Sequence, residues 1–120
     1  MGTSPSNEPV GQGRPYRSTL ADHPTVSEVL PLFVARLANY VQQLRGALAE
    51  QNADELKRLL HQLKGAGKSY GFGPITDQCS MLEQMLVDGL AAQQVQPQVQ
   101  ALIDYLEHVD GYVPPGGVRR

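Results

Sequence analysis

The sequence predicts an all-α fold: an antiparallel up-down four-helix bundle, with a short N-terminal extra helix or a kinked first helix. Three observations lead there. Apolar residues recur at three- and four-residue steps in four separate stretches, the period of a helix buried on one face. Short breaks containing Gly, Pro or Asn divide the stretches, and connections that short make neighbouring helices antiparallel. Sheet formers are nowhere concentrated, and aromatic residues are only 6% of the chain.

The first stretch runs from about Val26 to Glu50, with Val26, Leu30, Phe33, Leu37, Tyr40, Val41, Leu44 and Leu48 on its apolar face. Thr25 with Glu28 resembles a capping box at its start. Pro31 is the awkward residue, since only a first turn tolerates proline freely; a kink or a fresh start near Leu30 is expected. The second stretch opens at Asn52, with Glu55 three residues on, and its stripe is Leu56, Leu59, Leu60, Leu63, Gly67 and Tyr70. Gly71-Phe72-Gly73-Pro74 ends it. Pro74 suits the first position of a third helix, with Ile75, Cys79, Leu82 and Leu86 inward and Gly89 just past its end. The fourth covers about Val95 to Val109, its inward face made by Val99, Leu102, Leu106 and Val109, with Pro97 in its first turn. Residues 1–21 are expected to be a flexible tail, 22–110 the folded bundle and 111–120 a second flexible tail, because Gly and Pro interrupt both ends and no period survives there.

Composition removes several classes. At 120 residues the chain supports one small domain with a core of its own. A single cysteine, Cys79, builds neither a disulfide framework nor a cysteine zinc site, which fits a reducing, cytoplasmic setting. No apolar run is long enough to span a bilayer, and the N-terminus lacks the apolar core of a secretory signal. A net charge of -2 argues against bulk nucleic-acid binding.

Chemistry concentrates on the second helix. With Leu56 at the centre of the apolar stripe, a rotation of about 100° per residue puts His61 about 140° away, facing outward. Lys57, Lys64 and Lys68 fall on the same side, at about 80–120°, and Gly65 leaves a gap beside them at about 180°. A neutral imidazole nitrogen is a competent nucleophile near neutral pH. Ammonium groups beside it offset the charge of an incoming phosphoryl group, and a glycine one turn on lets another protein approach the ring. The same pattern is also that of a solvated histidine on a lysine-rich face, and geometry alone leaves both readings open. On the third helix Glu83 falls on a flank. There it either accepts a hydrogen bond from His61 Nδ1–H, freeing Nε2 to attack, or serves as a surface carboxylate paired with a lysine.

The residues His61-Gln62-Leu63-Lys64-Gly65, followed by small residues, a glycine at Gly71 and the pair Leu82-Glu83, resemble the signature of histidine-containing phosphotransfer (HPt) domains. The upstream spacing of Phe33, Leu37, Leu44 and Leu48 is similar to the family's as well, so the resemblance covers about residues 25–108. It implies a four-helix bundle in which His61 accepts a phosphoryl group from a receiver-domain aspartate or a histidine kinase and passes it to a receiver. It implies that Lys64 stabilises phosphate charge and that Gly65 is the small position that admits the receiver; Lys57 and Lys68, on the same face as His61, are expected to border the docking partner as well. The implied partners are a response-regulator receiver domain, a hybrid histidine kinase, or both; no nucleic acid, membrane, metal or cofactor is expected, and the carrier is expected to be a monomer without an ATP site. Lys68 and Leu60 depart from the family pattern, where smaller residues are usual. The alternative is a non-catalytic helical adaptor that docks receivers or another acidic partner.

Other candidates are weaker. His23 beside Pro24 and His108 near the end of the last helix read as structural or solvated, and their spacing is not that of metal ligands. Gly65-Ala66-Gly67-Lys68-Ser69 superficially resembles a phosphate loop, but the G-x-x-x-x-G-K-[ST] register is missing and no strand precedes it. Cys79 lies on the apolar stripe and reads as inert core.

Overall fold

The structure is a computed structural model that describes residues 15–114. Four helices make it up: α1 (Pro24–Ala49), α2 (Ala53–Ser69), α3 (Gly73–Val87) and α4 (Ala92–Glu107). Links of residues 50–52, 70–72 and 88–91 leave no room for a crossover. Each helix packs on its sequence neighbour, and α1 closes the ring against α4. Contacts between α2 and α3 run in opposite senses along the chain, Gly67 meeting Ile75 and His61 meeting Glu83, as an antiparallel pair requires.

Much of the core is built from the residues whose spacing announced it: Phe33, Leu37, Val41 and Leu44 of α1, Leu56, Leu59, Leu60 and Leu63 of α2, Ile75, Cys79 and Leu82 of α3, and Val99, Leu102 and Leu106 of α4 are all buried, as is Val109. Val95 and Ile103 of α4, outside the expected inward face, are fully buried with them. Full burial of one such aliphatic side chain is worth about 1.5–3 kcal/mol, so this interior holds the bundle together without staples. Leu60 is fully buried, which is how a bulky residue is accommodated immediately before His61. Burial also pushes the Cys79 thiol up to about 12, so it stays protonated at neutral pH.

The helix ends differ from the sequence expectation in three places. Helix α1 neither begins with a capping box at Thr25 nor restarts at Leu30. Its N-cap is His23, whose Nδ1 accepts from the backbone N–H groups of Thr25 and Val26, and Pro31 lies inside one continuous helix. The proline removes the bond that the Ser27 carbonyl would accept, but both residues are exposed, so solvent can take that carbonyl. Pro97 is tolerated for the same reason in the second turn of α4, which starts at Ala92 rather than near Val95. The expectation at Asn52 holds: its Oδ1 accepts the Glu55 N–H at 3.0 Å.

The expected tails fall partly outside the described residues, at 1–14 and 115–120. The parts that lie inside are packed. Residues 16–20 form a strap across one end of the bundle. Tyr16 N–H donates to the His108 carbonyl, Asp110 N–H to the Tyr16 carbonyl, and Thr19 N–H to the Gly71 carbonyl. The Tyr16 ring stacks on Tyr105 with centroids 4.0 Å apart, and Ser18 is buried with its hydroxyl donating to the Tyr70 carbonyl. Gly71 makes this crossing possible. Its φ of +86° is left-handed, and a Cβ there would stand 2.2 Å from Ser18 Oγ and 2.7 Å from the Leu20 nitrogen. At the other terminus Tyr112 is buried against the core.

Candidate functional site

Helix α2 presents His61 as the wheel predicts. Its neighbours Leu60 and Leu63 are fully buried, while the imidazole is 71% exposed. The ring is nonetheless held: Nδ1 lies 3.2 Å from Glu83 Oε2 on α3. An ionised carboxylate only accepts hydrogen bonds, so Nδ1 carries the proton in this contact, and in a neutral ring the lone pair is then on Nε2.

Glu83 serves two partners. Its second oxygen, Oε1, sits 2.7 Å from Lys64 Nζ, so the carboxylate contacts the histidine and a lysine at once. The Lys64 ammonium paired with it, more than the His61 contact, holds the Glu83 carboxyl below the usual value of 4.5, against a smaller opposing effect of partial burial. The Glu83 side chain is 21% exposed and that of Lys64 34%, but the Oε1 atom facing the lysine is itself buried.

This geometry follows from how closely α2 and α3 approach. A Cβ on Gly67 would meet Ile75 Cβ and Thr76 Oγ1, each at 2.9 Å, so the glycine admits α3 against the α2 backbone. One turn back, Thr76 Oγ1 donates to the Lys64 carbonyl at 2.9 Å. Nothing in the residue pattern singled out Thr76, because a half-buried threonine on a helix flank has no distinctive spacing.

The other expected site residues are distributed over the same face. Lys57, one turn before His61, faces Asp54 at 3.6 Å. Lys68 is exposed and makes no ion pair among the described residues, and a Cβ at Gly65 would meet open space. Gly65–Ser69 is helix rather than a phosphate loop. His23 and His108 stand apart from this face, the first capping α1 and the second donating from Nδ1 to the Asp104 carbonyl at the end of α4. Among the described residues no group of three or more His, Cys, Asp or Glu side chains is arranged to hold a metal ion. None of the described helices is long and apolar enough to cross a membrane.

A family model for the Hpt domain matches residues 28–112. No curated protein and no solved structure gave a significant match. Hpt domains work in phosphotransfer within two-component signalling, where they meet receiver domains and kinases. With a match spanning most of the bundle, the chain belongs to the Hpt domain family.

Proposed function

We propose that this chain is a phosphorelay carrier in which His61 Nε2 is the phosphoacceptor. The observation that carries the reading is the single contact between Nδ1 and Glu83 Oε2, which orients an otherwise exposed ring and leaves Nε2 unencumbered. In the forward step the Nε2 lone pair attacks the phosphorus of an aspartyl phosphate on a receiver. The P–Nε2 bond forms, the P–O bond to the aspartate breaks, and the aspartate leaves as a carboxylate. The imidazole gains positive character as this happens, and the adjacent Glu83 carboxylate stabilises it.

Lys64 supports the same step from two directions. One of its three ammonium donors holds Glu83 in place, and the remaining donors are available to a phosphoryl oxygen once Nε2 is charged. Lys57, Lys68 and the open surface over Gly65 border the approach of the partner. In this reading His61 and Lys64 are the reacting and charge-stabilising groups, and Glu83 positions the ring.

The test is phosphoryl uptake from a receiver charged with acetyl phosphate, with wild type and His61→Gln compared. Wild type should acquire an acid-labile, base-stable label that the variant lacks. A variant that binds the receiver normally but takes no label separates carrier from adaptor; a label that survives in His61→Gln overturns the assignment.

A further inference from the structure

Thr76 carries no role in the site so far, yet it makes the one directional side-chain bond from α3 to the α2 backbone beside His61. Threonine in a helix ordinarily turns its hydroxyl back to the carbonyl four residues earlier. Thr76 instead donates across the helix pair to the Lys64 carbonyl at 2.9 Å, a bond that is half-buried at the closest approach of α2 and α3. A helix carbonyl has a second lone pair, so this bond adds to the α2 ladder rather than replacing one of its rungs.

We infer that Thr76 is a positioning residue for phosphotransfer, fixing the register of α3 on α2 so that Glu83 reaches His61. This rests on the reading of His61 as acceptor. The apolar contacts of Ile75, Cys79 and Leu82 hold the helices together but are non-directional, and they leave rotation and small slides of α3 cheap. A hydrogen bond to a fixed carbonyl restrains both. Glu83 lies seven residues beyond Thr76, two turns along the same face of α3, while His61 lies three residues before Lys64 on α2. Lys64 is consequently gripped by α3 at both ends: its carbonyl by Thr76, its ammonium by Glu83. A slide of α3 that loses the first contact moves Glu83 relative to Nδ1, and the ring loses the partner that selects its tautomer.

Two variants test this. Thr76→Val keeps the branched shape and removes the donor; Thr76→Ser keeps the donor and removes a methyl group. The readouts are the two-bond ¹H–¹⁵N pattern of the His61 ring near pH 8 and the rate of phosphoryl uptake from an acetyl-phosphate-charged receiver. Wild type and Thr76→Ser should show the Nδ1–H pattern, and Thr76→Val should lose it and transfer about 10-fold more slowly, the scale of a small misplacement of a reacting group. A Thr76→Val protein that keeps the Nδ1–H pattern overturns the proposal whatever its transfer rate, and so does a Thr76→Ser protein that behaves as Thr76→Val. The ring pattern is read without any phosphoryl transfer, so it distinguishes failure of this inference from failure of the His61 assignment.

Discussion

The middle of the α2–α3 pair, around His61, and its linked end, around Gly71, are built for opposite purposes. Around His61 the helices expose a polar, lysine-rich surface whose few contacts orient one ring and leave it open. Around Gly71 the same pair is covered: the strap crosses it, Phe33 stacks on Tyr70 with centroids 4.4 Å apart, and Phe72 is buried. Three glycines mark the passage from one regime to the other. Gly65 faces open space, Gly67 admits α3, and Gly71 admits the strap in a left-handed conformation. One residue type therefore does three jobs within seven positions, and only the neighbours decide which.

That contrast is broken most sharply at Gly71. Gly71→Ala combines a positive φ with an impossible approach to Ser18 and Leu20, and should destabilise the fold by about 2–4 kcal/mol in denaturant unfolding. A smaller loss, about 1–2 kcal/mol, is expected for Tyr16→Ala, which removes the stack on Tyr105; transfer per folded molecule should stay at the wild-type rate. If Tyr16→Ala slowed transfer without loss of stability, the two regions would not be separable.

Around His61 the balance reverses. Gly65→Gln should hold or raise stability by a few tenths of a kcal/mol, since glycine is a poor helix former, while blocking transfer by filling the open surface proposed as the receiver's approach. Lys64→Ala should cost no more than about 1 kcal/mol in stability, the range of an exposed ion pair, yet slow transfer roughly 5- to 30-fold at low salt. The smallest effect is a pH effect. The Glu83 carboxyl is held below 4.5, so the stability it adds is fully present above about pH 4.5 and is lost as pH falls through its lowered folded value. Any stability advantage of wild type over Glu83→Gln should therefore be level at neutral pH and close only in acid.

The open region was also the legible one. A helical wheel fixes directions on a single helix, and that sufficed to turn His61 outward, bury Leu60 and Leu63, and place Glu83 on a flank. It did not say which anion Lys64 would meet, because that depends on the register between α2 and α3, which Gly67 and Thr76 set. The covered end was not legible. The bonds of Thr19 and Ser18 to residues 70 and 71 join segments some fifty positions apart through backbone groups, and such bonds leave no periodic trace in a sequence. His23 escaped notice as a cap because a ring nitrogen rarely plays that part. Proline misled twice, at Pro31 and Pro97, since the cost of a lost helix bond is small where the freed carbonyl is exposed.

The proposed carrier state has phosphate on Nε2 of His61 and the proton on Nδ1, facing Glu83. It is tested most directly by ³¹P and ¹H–¹⁵N correlation spectroscopy on the protein labelled with ¹⁵N-histidine and phosphorylated by a charged receiver. Phosphorus should couple to His61 Nε2 while Nδ1 remains protonated, with the rings of His23 and His108 unchanged. Phosphorus coupled to His61 Nδ1, or found on any other residue, would contradict it.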